Sequence, residues 1–174
     1  MKIAIIGMGE VGRAYAAALA DAGRHDLVAC DPIPSAAARD FVDERGIALH
    51  QAIGPWLSDA DLVLSCVDGR STASAFRASL PHLRAGTEYV DMTTADPADM
   101  RQAATEAEAG SVVFVDIAII GAISLTGART PLLRAGRDGA GTSQILQELD
   151  APVQVLAEGR AGDASFLKLV RSLF

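Results

Sequence analysis

A glycine pattern near the start of the chain constrains the fold more than any other feature of the sequence. The pattern G-x-G-x-x-G occupies six consecutive positions, which are Gly7, Met8, Gly9, Glu10, Val11 and Gly12. The apolar residues 2–6 before it predict a β-strand, and residues 11–22 after it predict a helix. A strand, a glycine-rich turn and a helix in this order are typical of a dinucleotide-binding site.

Each glycine has a distinct physical role in such a site. Gly7 permits the tight turn, Gly9 lets the backbone approach a pyrophosphate, and Gly12 lets the helix pack closely against the strand. The phosphates would then meet free N–H groups at the positive end of the helix. The predicted cofactor-binding residues are therefore all six of the pattern. The alternative is that these glycines form only a tight turn.

An acidic residue follows at a suitable distance. Asp31 lies nineteen residues beyond Gly12, at the end of a second predicted strand. An acid at this spacing accepts hydrogen bonds from the adenosine ribose hydroxyls, and its charge would repel a 2′-phosphate. This favours NAD as the cofactor, with NADP still possible. The alternative is that Asp31 only caps the turn before Pro32.

Strand-like and helix-like segments alternate along the rest of the chain. The predicted strands are residues 2–6, 27–30, 47–49, 62–65, 88–90, 112–115, 130–133 and 153–156. The predicted helices are residues 11–22, 35–45, 71–80, 97–109 and 142–149, with a last helix that starts at Gly162. This rhythm predicts an α/β fold of the Rossmann type, with a doubly wound, mostly parallel sheet and extra C-terminal strands.

Ligands of open α/β sheets bind beyond the carboxyl ends of the strands. Cys66, Val67 and Asp68 follow the fourth predicted strand, and Thr93 and Thr94 follow the fifth. We expect the first four to contact the cofactor and the Thr94 hydroxyl to contact a substrate. The alternative is that Asp68 is a plain turn residue and that the two threonines cap the next helix.

Composition excludes several other function classes. The formal net charge is −7, which argues against a nucleic-acid surface and against an anionic membrane surface. The apolar residues 3–6 are too short for the core of a signal peptide, and no apolar stretch reaches membrane-spanning length. Cys30 and Cys66 lack metal-ligand spacing, so no metal site is expected. We therefore expect a cytoplasmic protein that acts on a small molecule.

Four segments in order along the chain resemble the β-hydroxyacid dehydrogenases, a family that includes 3-hydroxyisobutyrate and 6-phosphogluconate dehydrogenases. Residues 3–12 are similar to its N-terminal motif, and residues 91–97 to its acid–Ser–Thr–proline motif. Residues 114–136 are similar to its substrate-loop segment, and Gly162 and Lys168 to its catalytic helix. The closest branch is a less characterised one described as phosphogluconate-dehydrogenase-like.

The resemblance implies hydride transfer between nicotinamide and a small hydroxyacid or related alcohol, with Lys168 as the catalytic acid or base. A free lysine has a pKa near 10.4, so only about one in 2,500 is neutral at pH 7. Burial and a cationic nicotinamide ring would both lower that pKa. The alternative is a solvated lysine on an amphipathic helix.

The same resemblance implies that Gly121 and Ala122 bind substrate through their N–H groups. The chain departs from the family at two positions. Ile120 stands where the family usually has a serine, and Ser172, a further predicted substrate contact, stands where it has an asparagine. Two other functions remain open: a dinucleotide-binding module without turnover, and an imine reductase, a related class that generally lacks the lysine.

The final helix is unusually apolar. Its apolar side chains are Phe166, Leu167, Leu169, Val170, Leu173 and Phe174. Such a helix needs partners on several sides. We expect that residues 1–161 form the dinucleotide-binding domain, and that residues 162–174 begin a helix linking to an all-helical domain absent from this sequence. A homodimer that covers this face is also expected.

Overall fold

The computed structural model describes residues 1–137 and 139–172 and contains one eight-stranded sheet. The strands in chain order are β1 (Lys2–Ile6), β2 (Asp26–Cys30), β3 (Ala48–His50), β4 (Leu62–Ser65), β5 (Glu88–Asp91), β6 (Val113–Ile119), β7 (Leu132–Gly136) and β8 (Val153–Val155). The helices are α1 (Glu10–Ala22), α2 (Ala36–Arg45), α3 (Thr72–Ser79), α4 (Pro97–Ala109), α5 (Ile123–Thr126), α6 (Ala140–Glu148) and α7 (Asp163–Arg171).

The strand order is β3-β2-β1-β4-β5-β6-β7-β8, and the β6–β7 pair alone among these neighbours is antiparallel. The order reverses between β1 and β4, which creates a crevice at the carboxyl ends of these strands. The predicted mostly parallel, doubly wound sheet is confirmed.

Alternate residues of β1 explain why both faces of the sheet are covered. Ile3 and Ile5 belong to one buried hydrophobic cluster, and Ala4 and Ile6 belong to another. Strands that are apolar on both faces require helices on both sides. The continuous apolar runs in the sequence therefore already specified a two-sided core.

Local capping explains several helix boundaries. Ser35 accepts a hydrogen bond from the Ala38 N–H, so α2 begins one residue after it. Asp96 does the same for the Ala98 N–H, and Pro97 occupies the first turn of α4. Side-chain oxygens at these positions satisfy donors that the helix itself leaves unpaired.

Two predicted strands differ from the structure by more than one residue at an end. The strand predicted at residues 130–133 begins at Leu132, because Thr130 is held in the preceding turn by a hydroxyl bond to the Gly127 carbonyl. The strand predicted at 112–115 continues to Ile119, because β7 pairs with it as far as Leu132. Residues 118 and 119 thus lie in β6 and not in a loop.

The predicted final helix forms at Asp163–Arg171, with Gly162 at its N-cap. Phe166, Leu167 and Leu169 are exposed on it, whereas Leu173 and Phe174 lie outside the described residues. Within the described ranges, no helix is long and apolar enough to cross a bilayer.

Candidate functional site

A groove with a volume of about 670 Å3 opens at the carboxyl ends of β1, β2 and β4. Six of the predicted cofactor-binding residues line it together: Gly7, Gly9, Asp31, Cys66, Val67 and Asp68. They come from three separate parts of the sequence, which the parallel strands bring to one edge of the sheet. The groove therefore lies where the strand order reverses.

The three glycines of the motif serve three purposes. Gly7 has φ +90°, and a Cβ there would lie 2.7 Å from the Cys66 carbonyl oxygen. A Cβ on Gly12 would overlap the Gly7 carbonyl oxygen, so the helix could not approach the turn as it does. A Cβ on Gly9 would meet no atom of the described residues within 4 Å. Gly9 is thus not required by packing, and its bare backbone faces the open groove.

The start of α1 offers unpaired donors at that point. The first bond of the helix runs from the Arg13 N–H to the Gly9 carbonyl at 3.1 Å. The N–H groups of Glu10, Val11 and Gly12 therefore have no acceptor within the helix. The Arg13 guanidinium donates to the Met8 carbonyl at 2.9 Å, which steadies the turn. The helix dipole adds partial positive charge, so the cradle suits linked phosphate groups.

Asp31 holds the glycine turn as well as facing the groove. Its Oδ2 accepts the Met8 N–H at 2.8 Å, and its Oδ1 accepts the Ile33 N–H at 2.9 Å. Each carboxylate oxygen has a second lone pair that can accept a hydroxyl. The predicted ribose contact is therefore chemically possible, and the bond to Met8 is a role that the sequence did not indicate.

The hydroxyls of the two threonines after β5 differ in their hydrogen bonding. The Thr93 hydroxyl donates to Asp91 Oδ1 at 2.5 Å and lies 2.8 Å from the Thr72 hydroxyl, in the protein interior. The Thr94 hydroxyl has no hydrogen-bond partner in the described part of the chain. Thr94 also lines a second cavity of about 860 Å3, together with Asp68 and Leu169. Thr94 is therefore better placed than Thr93 to offer a hydroxyl to a ligand.

Two buried carboxylates lie side by side on the neighbouring strands β5 and β6. Asp91 on β5 pairs in register with Asp116 on β6, and both are fully buried. Burial raises the pKa of Asp91 to about 7, with a further contribution from the negative charge of Asp116. Burial likewise raises the pKa of Asp116 to about 6, although several hydrogen bonds to its carboxylate act in the opposite direction.

Asp116 fixes the start of α7. Its Oδ2 accepts the N–H groups of Gly162 at 2.8 Å and Ala164 at 3.2 Å, and its Oδ1 accepts the Ser165 hydroxyl at 3.3 Å. Lys168 follows on the same helix, and its partial burial lowers its pKa. This shift has the direction that a catalytic base needs.

None of the predicted substrate residues lines the main groove, and Thr94 lies at the second cavity. Gly121 and Ala122 are exposed in the turn after β6, and the Ser172 hydroxyl donates to the Lys168 carbonyl at 2.9 Å. None of these three, and not Lys168, lines the groove. Leu169, next to Lys168, does reach the second cavity beside Thr94.

Sequence reasoning missed two walls of the groove. Gln51, Ala52 and Ile53, after β3, form one wall, and Ser71, Ser74, Ala75 and Ala78 at and along α3 form another. The rule that ligands bind beyond strand ends could have indicated residues 51–53, because they lie just beyond the strand predicted at residues 47–49.

The sequence matches the family described as the NAD binding domain of 6-phosphogluconate dehydrogenase over residues 2–153. The chain belongs to this family. The resemblance to β-hydroxyacid dehydrogenases and the prediction of a nicotinamide dinucleotide cofactor are thereby confirmed. A comparison with curated proteins finds no match.

Solved structures share the fold of this NAD-binding domain. A conserved hypothetical protein from Sinorhizobium meliloti 1021 is 28% identical with a TM-score of 0.84, and the match covers 99% of this chain and 59% of that protein. The 3-hydroxyisobutyrate dehydrogenase of Mycobacterium tuberculosis is 22% identical, with a TM-score of 0.83. The match covers 99% of this chain and 59% of that protein.

An imine reductase from Aspergillus terreus, solved with NADPH4, is 23% identical, with a TM-score of 0.80. The match covers 99% of this chain and 61% of that protein. The chain thus spans about 60% of the length of the structures it resembles.

Proposed function

We propose that this NAD-binding domain is the cofactor-binding part of an oxidoreductase that transfers hydride between nicotinamide and a small hydroxyacid or related alcohol. The observation that carries the proposal is Gly9, whose bare backbone faces an open groove beside Asp31 and beside three N–H groups that have no acceptor within α1. When bound, the nicotinamide ring supplies the hydride donor or acceptor. The residues present fit the dinucleotide because the N–H groups at the start of α1 can donate hydrogen bonds to its phosphates. The neighbouring Asp31 carboxylate can accept hydrogen bonds from its ribose.

Several finer points belong to this proposal. Residues 1–161 are the cofactor domain, and residues 162–174 begin the link to an all-helical domain. The acidic composition supports a cytoplasmic protein that binds neither nucleic acid nor membranes, and the exposed apolar residues of α7 support a homodimer. Asp31 supports NAD over NADP, because its carboxylate would repel a 2′-phosphate.

Lys168 is the proposed acid or base at the substrate oxygen. Alcohol oxidation requires a neutral amine to accept the hydroxyl proton, and the burial of Lys168 shifts its pKa in that direction. Thr94 is the proposed hydroxyl donor to the substrate, because its hydroxyl is buried and lacks a partner among the described residues. The N–H groups of Gly121 and Ala122 and the hydroxyl of Ser172 are further proposed contacts.

Two observations favour other functions. The position of Lys168 away from the main groove favours a binding module without turnover. The likeness to an imine reductase favours reduction of a C=N bond. A substrate screen on a longer chain separates these functions. A hydroxyacid dehydrogenase oxidises alcohols and loses that turnover without Lys168, an imine reductase reduces C=N substrates, and a binding module turns over neither.

Titration with NADH and NADPH, followed by fluorescence, tests the cofactor claim directly. Gly9→Ala adds one methyl group at φ −68°, which alanine adopts readily, and that group projects into open space. We expect an unchanged melting temperature and a loss of NADH affinity of at least about tenfold, since the methyl group occupies the phosphate position. Failure of the wild-type chain to bind NADH, or unchanged affinity in Gly9→Ala, would contradict the proposal.

A further inference from the structure

Two aromatic rings stack beside the groove, outside the residues assigned so far. His50 is the last residue of β3, and Trp56 lies in the short 3₁₀ helix at Pro55–Asp59. Their ring centroids are 4.3 Å apart and their planes differ by 4°. The Trp56 indole N–H also donates to the Ala52 carbonyl at 2.9 Å. The stack and this bond together close the chain between residues 50 and 56 into a compact loop.

This loop supplies a wall of the cofactor groove. Gln51, Ala52 and Ile53 line the groove, while Asp31 lines it from the neighbouring strand. The Asp31 N–H donates to the His50 carbonyl at 3.0 Å, which links the loop to the ribose acceptor. Because the phosphates belong at the start of α1 and the ribose at Asp31, residues 51–53 lie on the adenosine side of the ribose.

The wall has little else to hold its shape. Gln51 and Ala52 are exposed, and Ile53 is half-buried against the same hydrophobic cluster as Trp56. Exposed loop segments of this kind are mobile unless contacts order them. The stacked rings are the contact that joins the two ends of the loop. An aromatic pair with near-parallel planes has a geometry that restrains both rings.

We propose that His50 and Trp56 are positioning residues for the adenosine half of the cofactor. Their stack fixes the wall formed by residues 51–53 before the ligand arrives, so that the adenosine meets a preformed surface. The inference rests on the proposed function, since it assumes that the groove binds a dinucleotide. It assigns no direct contact between either ring and the ligand.

Half-cofactors separate this role from a general folding role. The variants are His50→Ala, which removes the stack, and His50→Phe, which restores an aromatic ring. His82→Ala is the matched control, because His82 is also half-buried but lies in the 3₁₀ turn Leu80–His82, outside the groove. Calorimetry measures binding of AMP, of reduced nicotinamide mononucleotide and of NADH to each folded variant.

We expect His50→Ala to weaken the binding of AMP and of NADH by up to about tenfold, which is the upper range for the loss of an aromatic pair. The affinity for reduced nicotinamide mononucleotide should not change. His50→Phe and His82→Ala should bind all three as the wild type does. Trp56→Leu should reproduce the selective loss, which keeps the test valid if His50→Ala unfolds. Trp56 is the one tryptophan in the sequence, so its emission in His50→Ala should report the lost stack directly.

Unchanged AMP affinity in folded His50→Ala overturns the inference. Equal losses of affinity for AMP and for reduced nicotinamide mononucleotide also overturn the inference, because they indicate a general defect in the fold. These results differ from failure of the proposed function, which would show as absent NADH binding by the wild-type chain itself.

Discussion

The carboxylate of Asp31 accepts the backbone N–H of Met8 at 2.8 Å, across a sequence separation of 23 residues. This bond joins the end of β2 to the glycine turn before α1. The residue proposed to recognise the ribose therefore also holds the loop proposed to receive the phosphates. The proposed recognition of the two parts of the cofactor is thus coupled through one side chain.

Asp31→Ala should consequently weaken cofactor binding more than the loss of one ribose contact alone. A hydrogen bond to a charged group contributes about 1.5–3 kcal/mol, so we expect NADH affinity to fall by about 10–100-fold. The preference for NADH over NADPH should also shrink, since the repelling charge is gone. Asp26→Ala, an exposed acid on the same strand, is the control. An unchanged NADH-to-NADPH ratio in Asp31→Ala would remove Asp31 from cofactor selection.

Gly12→Ala should reduce the stability of the fold, whereas Gly9→Ala should reduce cofactor affinity. The new methyl group would overlap the Gly7 carbonyl oxygen, so α1 or the glycine turn must move. Overpacking of this kind destabilises by about 3 kcal/mol or more when backbone has to shift. Urea unfolding monitored by circular dichroism measures the difference. A Gly12→Ala protein as stable as the wild type would show that the turn is not packed as described.

The buried Asp91 should make stability depend on pH. Its folded pKa of about 7 exceeds its ordinary value of 3.8, so between these values the folded state binds more protons than the unfolded state. The contribution of Asp91 to the free energy of unfolding therefore decreases as pH rises through that range, by up to about 4 kcal/mol.

Asp91→Asn isolates this effect. Its amide oxygen can still accept the hydrogen bonds from Thr93, but it carries no charge. Urea unfolding at pH 5 and at pH 8 measures the free energy of unfolding of both proteins. The difference, variant minus wild type, should be more positive at pH 8 than at pH 5. Asp61→Asn is the control, because hydrogen bonding to the Lys2 backbone lowers the pKa of Asp61, so that this carboxylate is ionised in both the folded and the unfolded state from pH 5 to pH 8 and its replacement should change stability equally at both. A stability difference that does not change with pH would rule out an ionising Asp91.

Glu88 joins the sheet to α6. Its carboxylate accepts the Gly141 N–H at 2.8 Å, the Thr142 N–H at 2.7 Å and the Thr142 hydroxyl at 2.6 Å. These bonds satisfy donors at the start of the helix and place negative charge at its positive end. Glu88→Ala should cost about 2–4 kcal/mol of stability in denaturant unfolding. Glu44→Ala, an exposed glutamate on α2, should cost little, and similar losses for both would show that the cap is unimportant.

Lys168→Ala should separate binding from turnover in a longer chain that includes the proposed helical domain. Cofactor affinity should be retained, because Lys168 does not line the groove, while turnover should fall by about 10²–10⁴-fold, the usual contribution of a positioned acid or base. The wild-type rate of alcohol oxidation should rise with pH and level off below the pKa of a free lysine, since burial lowers the pKa of Lys168. Arg171→Ala, exposed on the same helix, is the control. Full turnover without Lys168 would remove it from the mechanism.

Local patterns in the sequence were sufficient for most of the elements. The bounds of β1, β4 and α4 agree with those predicted, because apolar runs and caps are set by residues close together in the chain. The glycine motif likewise predicted the tight turn before α1 and the close approach of the helix to it. The error at the end of β6 arose because pairing with β7, and not local propensity, decided where that strand ends. The error at the start of β7 arose because the Thr130 hydroxyl bond holds residue 130 in the preceding turn.

Only the tertiary structure decided how the site is connected. It placed Asp31 against Met8, turned the Thr93 hydroxyl inward to Asp91, set Asp91 beside Asp116, and stacked His50 on Trp56. Hydrophobic periodicity reports which side of an element is buried, but it does not report which polar groups meet across the sheet. The sequence alone therefore determined the strand–turn–helix unit that suits a dinucleotide, and packing determined which side chains support it.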